Sequence, residues 1–501
     1  LHLLAEAERG GSTCMPSDAL LGGLRELLGA ASGAPMTEAF IDELVVGEAL
    51  EREGRWVYRK QTAELEAELA RRVAELLGTG PSSKLREPGP QAVMQTGLEP
   101  NQPQLEAIRN AFTERLSLIT GGPGTGKTMS IRAIAGCAVV QEAKVMLVAP
   151  TGRAAIRMGE ASGLRASTVH SALGWIPGEG PEHDEQDPLL CDLLIIDESS
   201  MANLELMVAL LRAVGEGTSV VLVGDADQLA PVGAGKPFAE LVGSGLVPTV
   251  RLTHIFRQAA GSMIVQGAHA IRRGATPSFA PAPEMQRDLF MIERPDPLRA
   301  REEIVSLVVD RLPRHYGVNP VTDIQVFAPV YRGELGIDAL NQALREALNP
   351  DGEPALGGRL RLGDKLMMTG RNLHEMGLMN GTVLRLVDEV AGSDGGEREA
   401  ALVLAGDHAT FRLPPEEADR LRLAYACSVH RGQGIELPVA VIVAHPAAGA
   451  FFLRREMLYT ALTRAKLATV VVGSLQTVAR AARNADTGRR HGRLGERLAG
   501  V

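Results

Sequence analysis

Residues 121 to 128 read GGPGTGKT, directly after the apolar run LSLIT and directly before a helical pattern. In that setting the glycines of the loop Gly122, Pro123, Gly124, Thr125 and Gly126 let backbone N–H groups face a phosphate, Pro123 itself having none to offer. Lys127 brings a point charge to the β/γ end of a triphosphate, and Thr128 offers a hydroxyl to Mg²⁺. A glycine turn alone is commonplace; the strand before and the helix after give this spacing its meaning, and the chemistry it points to is ATP binding.

Seventy residues on, LLIIDESS puts Asp197 and Glu198 at the end of a second apolar run. One carboxylate there can hold the Mg²⁺ shell while its neighbour orients and deprotonates water. Adjacent acids at a strand end are also an ordinary solvated turn, so this pair draws its weight from the phosphate loop. A third run leads into GDADQLAPVG, where Asp225 and Gln228 form either a polar loop or a sensor of the γ-phosphate and the attacking water. Arg257 in THIFRQ and Arg464 in LYTALTRAK could stabilise charge developing on a transferred phosphoryl group, or could be surface ion pairs.

The elements that must position these residues follow a regular order. From Gln104 to about Arg251, strand-length runs (LSLIT, VMLVA, LLIID, VVLVG) alternate with helical patterns, which predicts an α/β core with a parallel sheet over residues 96–255. A second alternating stretch (IQVFAPV, VAVIVAH, TVVVG) predicts a second α/β core from residues 256–358 and 415–501. Between them, residues 359–414 read as short β segments with an Asn380-Gly381 turn signal, a small inserted β-barrel. Residues 1–95 read as a helical N-terminal domain with one extended piece around Arg55 to Lys60, followed by a Gly/Pro/Ser-rich connector. The acidic stretch 175–188 interrupts the first core as a loop or a hairpin.

Bulk properties set the frame. At 501 residues the chain exceeds one hydrophobic core, and it has no apolar run near the twenty residues that cross a bilayer. The opening LHLLAEAERGG lacks the basic lead of a signal peptide, and Leu1 in place of Met suggests a trimmed or truncated start. Cys14, Cys137, Cys191 and Cys427 lie far apart, which disfavours a zinc site or a disulfide framework and fits a reducing cytoplasm. A net charge of −9 argues mildly against a coat on nucleic acid, yet a motor needs only a local basic track.

In this order the motifs resemble those of superfamily-one helicases, and within them the RecD-like branch, which includes the exodeoxyribonuclease V alpha subunit and stand-alone relatives. NQPQLEAI resembles the adenine-reading Q motif, with Gln104 at the base edge, and SVHRGQGIE resembles the late motif that links DNA to nucleotide, with Glu436 near the ribose. The resemblance implies two RecA-like P-loop cores with ATP between them, and makes Arg257 and Arg464 ligands of the γ-phosphate. It places Thr151, Arg153, Thr168, His170, Ser428 and His430 on DNA, although Thr151 and Thr168 are equally natural N-caps. The inserted β segments resemble the SH3-like module of these enzymes, and residues 175–188 fall where they carry a strand-splitting pin. One departure stands out: Arg431 and Gly432 replace a more usual Lys and Ser.

The activity so implied is ATP-driven translocation 5′ to 3′ on single-stranded DNA by a monomer, with unwinding of duplex DNA that has a 5′ tail, in repair or recombination. With aromatic residues at 3% of the chain, grip is expected mainly on the sugar-phosphate backbone. Three other readings share the ATP motifs: a helicase of opposite polarity, an RNA-directed relative, and a motor subunit dependent on a larger nuclease complex.

Overall fold

The computed structural model describes residues 1–28, 38–176, 178–256, 261–280, 285–370, 373, 376, 378, 380–391, 400–406, 409–449, 451–485 and 490–500. The chain forms two compact units, Leu1–Ile255 with Asp486–Val501, and Phe256–Ala485.

The first unit opens with a small mixed layer. Strands β1 (Met15–Pro16), β2 (Leu50–Glu53) and β3 (Trp56–Arg59) make an antiparallel sheet in the order β1-β3-β2. Helices His2–Arg9, Ser17–Leu28 and Glu38–Val46 accompany it, and Leu4, Leu20, Ile41, Leu50 and Val57 share one core. The segment is therefore mixed rather than helical. The extended piece near Arg55 is the second arm of a hairpin whose two-residue turn has Gly54 at φ 59°.

Six parallel strands follow: β4 (Leu116–Gly121), β5 (Val145–Ala149), β6 (Ala166–Thr168), β7 (Leu193–Ile196), β8 (Ser219–Gly224) and β9 (Thr249–Leu252), in the order β6-β5-β7-β8-β4-β9. Every residue of β4, β7 and β8 is buried, as continuous apolar runs covered on both faces must be. Alternate residues serve the two faces. Leu193, Ile195, Val221 and Val223 pack with helices Gln102–Thr113, Lys127–Val140 and Gly152–Ser162. Leu194, Ile196, Val220 and Leu222 pack with helices Lys60–Leu77, Leu204–Arg212, Pro237–Ser244 and Leu494–Ala499.

That second face departs from the boundaries read from sequence. Leu69, Ala70, Val73 and Leu76 of Lys60–Leu77 lie in the same core as Leu116, so this helix is a layer of the first core. Leu494 and Leu498 join it, so the C-terminal helix belongs with the first unit rather than with the second sheet. Between 175 and 188 the described residues hold one antiparallel bridge, Ile176 with Gly180, and no strand.

In the second unit β10 (Leu289–Glu293), β11 (Ile324–Phe327), β19 (Ala426–Cys427), β20 (Leu437–Ala444) and β21 (Ala465–Gly473) form a parallel sheet in the order β10-β21-β20-β11-β19. Strands β12 (Pro354–Ala355) and β13 (Leu360–Arg361) pair with each other. Strands β14 (Lys365–Met368), β15 (Val383–Val390), β16 (Ala401–Ala405), β17 (Thr410–Leu413) and β18 (Leu421–Leu423) form an antiparallel sheet around their own core of Leu366, Met368, Leu384, Leu386, Leu402, Leu404 and Leu413. This inserted sheet runs on to Leu423, past residue 414. Gly381 adopts φ 85°, as the Asn-Gly turn signal implies, and the turn leads into β15. Among the described residues no helix is long and apolar enough to cross a membrane.

Candidate functional site

The fully buried β4, β7 and β8 run parallel and adjacent, so the loops after them meet along one edge of the sheet. Ligands of open α/β sheets bind at that carboxyl edge. The loop after β4 turns through Gly124 at φ 71° and Gly126 at φ 86° into helix Lys127–Val140. A side chain at Gly121 would bring Cβ to 2.9 Å from the Leu252 carbonyl oxygen, so the strand end tolerates no substituent. The Thr125 hydroxyl donates to the Gly122 carbonyl at 2.8 Å, fixing the loop from within. Lys127 Nζ donates to the carbonyl oxygens of Gly121 and Gly122 at 2.5 and 3.2 Å, which folds the ammonium back over the cradle. Thr128 stands exposed in the first helical turn.

After β7, the Asp197 carboxylate accepts from the Glu198 N–H at 2.8 Å. Burial first, and then the charge of Glu198, push the Asp197 carboxyl up to about 6, while Lys127 and Arg157 pull it down. Glu198 takes φ 52°, a left-handed backbone costing about 1–2 kcal/mol for a side-chain residue and concentrated at functional sites. Its Oε2 is buried without a hydrogen-bond partner. A half-buried carboxylate that is costly to ionise, next to an oxygen lacking a donor, fits a divalent cation and an attacking water. No group of three or more metal-ligating side chains occurs among the described residues; Mg²⁺ is usually held by one or two carboxylates, phosphates and water.

The loop after β8 is tied to the phosphate strand, because the Ala226 N–H donates to Thr120 Oγ1 at 3.2 Å. Within that loop Gln228 Nε2 donates to Asp225 at 3.4 Å, and Asp225 is buried. Lys127, Asp197, Glu198 and Gln228 thus stand on loops from neighbouring strand ends.

Gln104 stands at the start of its helix, beside the phosphate loop. Its side chain is fully buried. Oε1 accepts from the Asn101 N–H at 2.9 Å in a capping box, and Nε2 donates to the Gly126 carbonyl at 3.2 Å. The amide ties the helix start to the phosphate loop.

Thr151 and Thr168 are both N-caps, accepting from the N–H groups of Ala154 at 3.3 Å and Ser171 at 3.1 Å. The half-buried Arg153 lies in the first turn of the helix that Thr151 caps, and His170 packs its ring on Trp175 with centroids 5.3 Å apart. Sequence reasoning missed Arg157, one turn after Arg153 on this helix, whose NH2 lies 3.8 Å from Glu198 Oε1. The signal available was the i, i+4 spacing that puts both arginines on one helix face.

In the second unit, Arg464 is buried and donates to the Thr460 carbonyl at 3.0 Å, not the exposed ion pair of the simpler reading. Glu436 pairs with Lys466 at 3.1 Å. Ser428 Oγ accepts from the Arg431 N–H at 3.4 Å, and His430 lies within the same turn. The Gly432 departure has a steric cause, since a Cβ there would stand 2.3 Å from Phe327 Cε1. Arg257 lies outside the described residues.

Comparison with known proteins identifies the family. An AAA domain model matches residues 99–288, and a UvrD-like helicase C-terminal domain model matches residues 423–472. The chain is 37% identical to the ATP-dependent RecD2 DNA helicase of Deinococcus radiodurans over 416 residues, 83% of this chain and 54% of that protein, so it spans about half of that relative's length. It is 31% identical to the RecBCD enzyme subunit RecD of Mycolicibacterium smegmatis over 407 residues, 74% of this chain and 70% of that one. A solved Pif1 helicase from Candida albicans is loosely similar, with a TM-score of 0.45 and 19% identity over 76% of this chain and 96% of that one. On its sequence relatives, its two parallel sheets and its phosphate loop, the chain belongs to the RecD-like family of superfamily-one helicases.

Proposed function

We propose that this chain is an ATP-dependent DNA helicase that moves 5′ to 3′ on single-stranded DNA and unwinds duplex DNA with a 5′ tail. The observation that carries this is the gathering of Lys127, Asp197, Glu198 and Gln228 on adjacent strand ends of one parallel sheet in a RecD-family chain. The polarity rests on family membership alone.

Lys127 leaves the Gly121 and Gly122 carbonyls to meet the β- and γ-phosphates, which the N–H groups of Gly122 and of residues 124–127 surround. Thr128 and Asp197 would hold Mg²⁺, whose charge neutralises the phosphate oxygens when bound. Glu198 accepts a proton from the attacking water as its oxygen bonds to the γ-phosphorus and the bond to ADP breaks. Gln228 reports on that water through the Asp225 loop. Arg257 and Arg464 stabilise charge on the phosphoryl group in transfer. Gln104 sets the position of the phosphate loop. Glu436 lies near the ribose.

Thr151, Arg153, Thr168, His170, Ser428 and His430 contact the strand through sugar and phosphate, which holds it without reading sequence. The inserted sheet β14–β18 is an SH3-like module, residues 175–188 act at the duplex junction, and the working unit is a monomer in DNA repair or recombination.

Similarity to a subunit of RecBCD favours one second reading, a motor that works only with partner chains. ATP hydrolysis with Mg²⁺, measured with and without an oligo-dT strand for the parent chain and Lys127→Gln, tests the proposal. Hydrolysis stimulated by the strand and lost in Lys127→Gln is expected; equal turnover by the variant would overturn the site.

A further inference from the structure

Glu198 and the helix proposed to meet DNA are joined by one side chain. Strand β5 leads into helix Gly152–Ser162, and β5 pairs directly with β7, so the helix start and Glu198 stand on neighbouring strand ends. Arg153 and Arg157 are one turn apart on that helix, and Arg157 NH2 reaches Glu198 Oε1 at 3.8 Å. The Glu198 carboxylate is only 13% exposed, its other oxygen is buried without a hydrogen-bond partner, and its backbone is in the left-handed region. Glu198 is thus held by a long ion pair, not clamped by hydrogen bonds. Such a contact can be exchanged for another at small cost.

We propose that Arg157 is a positioning residue that makes hydrolysis conditional on DNA. Without DNA it draws Glu198 toward the helix and away from the water it must deprotonate. A strand engaging Thr151 and Arg153 shifts the first turns of the same helix, moves Arg157, and releases Glu198 to the nucleotide. The proposal rests on the helicase reading and adds the route by which the strand reaches the chemistry, two arrangements of one element biased by a ligand.

The test compares the parent chain with Arg157→Ala and Arg157→Lys, each checked for a parental thermal melt. Steady-state ATP hydrolysis is measured without DNA and with saturating oligo-dT, and Lys127→Gln serves as the blank. Arg157→Ala is expected to raise the DNA-free kcat by about 5–10-fold, a coupling of ordinary allosteric size. KM for ATP and the DNA-stimulated kcat should stay within about twofold, so the stimulation ratio collapses. Arg157→Lys, which keeps the charge, should restore much of the ratio. A folded Arg157→Ala protein with an unchanged DNA-free rate would overturn the proposal, as would equal loss of both rates, which would place Arg157 in the hydrolytic machinery itself. Parent hydrolysis no greater than that of Lys127→Gln would instead overturn the helicase reading and this proposal with it.

Discussion

The side-chain amide of Gln104 donates to the main-chain carbonyl of Gly126 at 3.2 Å, joining the start of one helix to the last residue of the phosphate loop. Gly126 precedes Lys127 and has φ 86°, so its carbonyl orientation sets where that helix begins. Gln104→Ala is expected to lower kcat/KM by about 5–20-fold, the value of a buried hydrogen bond or two. ATP and GTP should suffer alike, because the lost contact lies in the loop. Loss confined to ATP would show that the amide reads the base after all.

How far the sequence carried is clear from the same residues. The phosphate loop was legible because its glycines stand between an apolar run and a helical pattern, and β4, β7 and β8 because burial on both faces demands unbroken apolar runs. The role of Gln104 was not, since a glutamine that caps a helix and one that reads a base are the same letter. Strand β3, WVYR, showed as an extended piece, but its partner β2, LERE, is too short and polar for a strand period to emerge. The short helix LGERLA carries no pattern that says which core its leucines join.

A second prediction concerns that C-terminal helix. Arg497 Nε lies 3.2 Å from Glu66, which is buried and accepts from Thr13 at 2.7 Å and from the Arg493 N–H at 3.2 Å. Removing the cation leaves a buried carboxylate without its ion partner. Arg497→Ala should therefore cost about 3 kcal/mol of stability, seen as a lower denaturation midpoint of the full chain. A midpoint unchanged within error would mean that the C-terminal helix is not held by this pair.

Glu240 supplies a prediction in pH. Burial, and then the nearby Glu66 charge, push its carboxyl up to about 7, although the Leu494 N–H donates to it at 3.1 Å. The folded state therefore binds this proton more tightly than the unfolded chain. The contribution of Glu240 to stability is fully present below the ordinary carboxylate range and is lost as pH rises through about 7. Glu240→Gln keeps the acceptor oxygen and removes the charge. It should raise stability at pH 8 by on the order of 2–3 kcal/mol and make little difference near pH 4. An equal effect at both pH values would show that ionisation is not the cause.

Gly432 is expected to resist the serine that such helicases more often carry there. A Cβ would press on the Phe327 ring at the end of β11, and overpacking of this kind costs about 1–3 kcal/mol. Gly432→Ser should lower the melting temperature of the chain, and Phe327→Leu should recover part of the loss. A silent Gly432→Ser would mean that the ring moves aside freely.

The central claim is directional movement on DNA driven by the Lys127 site. Its most direct test is strand separation with ATP and Mg²⁺ on two duplexes of equal length, one with a 5′ and one with a 3′ single-stranded tail. Unwinding of the 5′-tailed duplex alone, abolished in Lys127→Gln, is the predicted result. Unwinding of the 3′-tailed duplex would contradict the polarity, and activity on neither would contradict a self-sufficient motor.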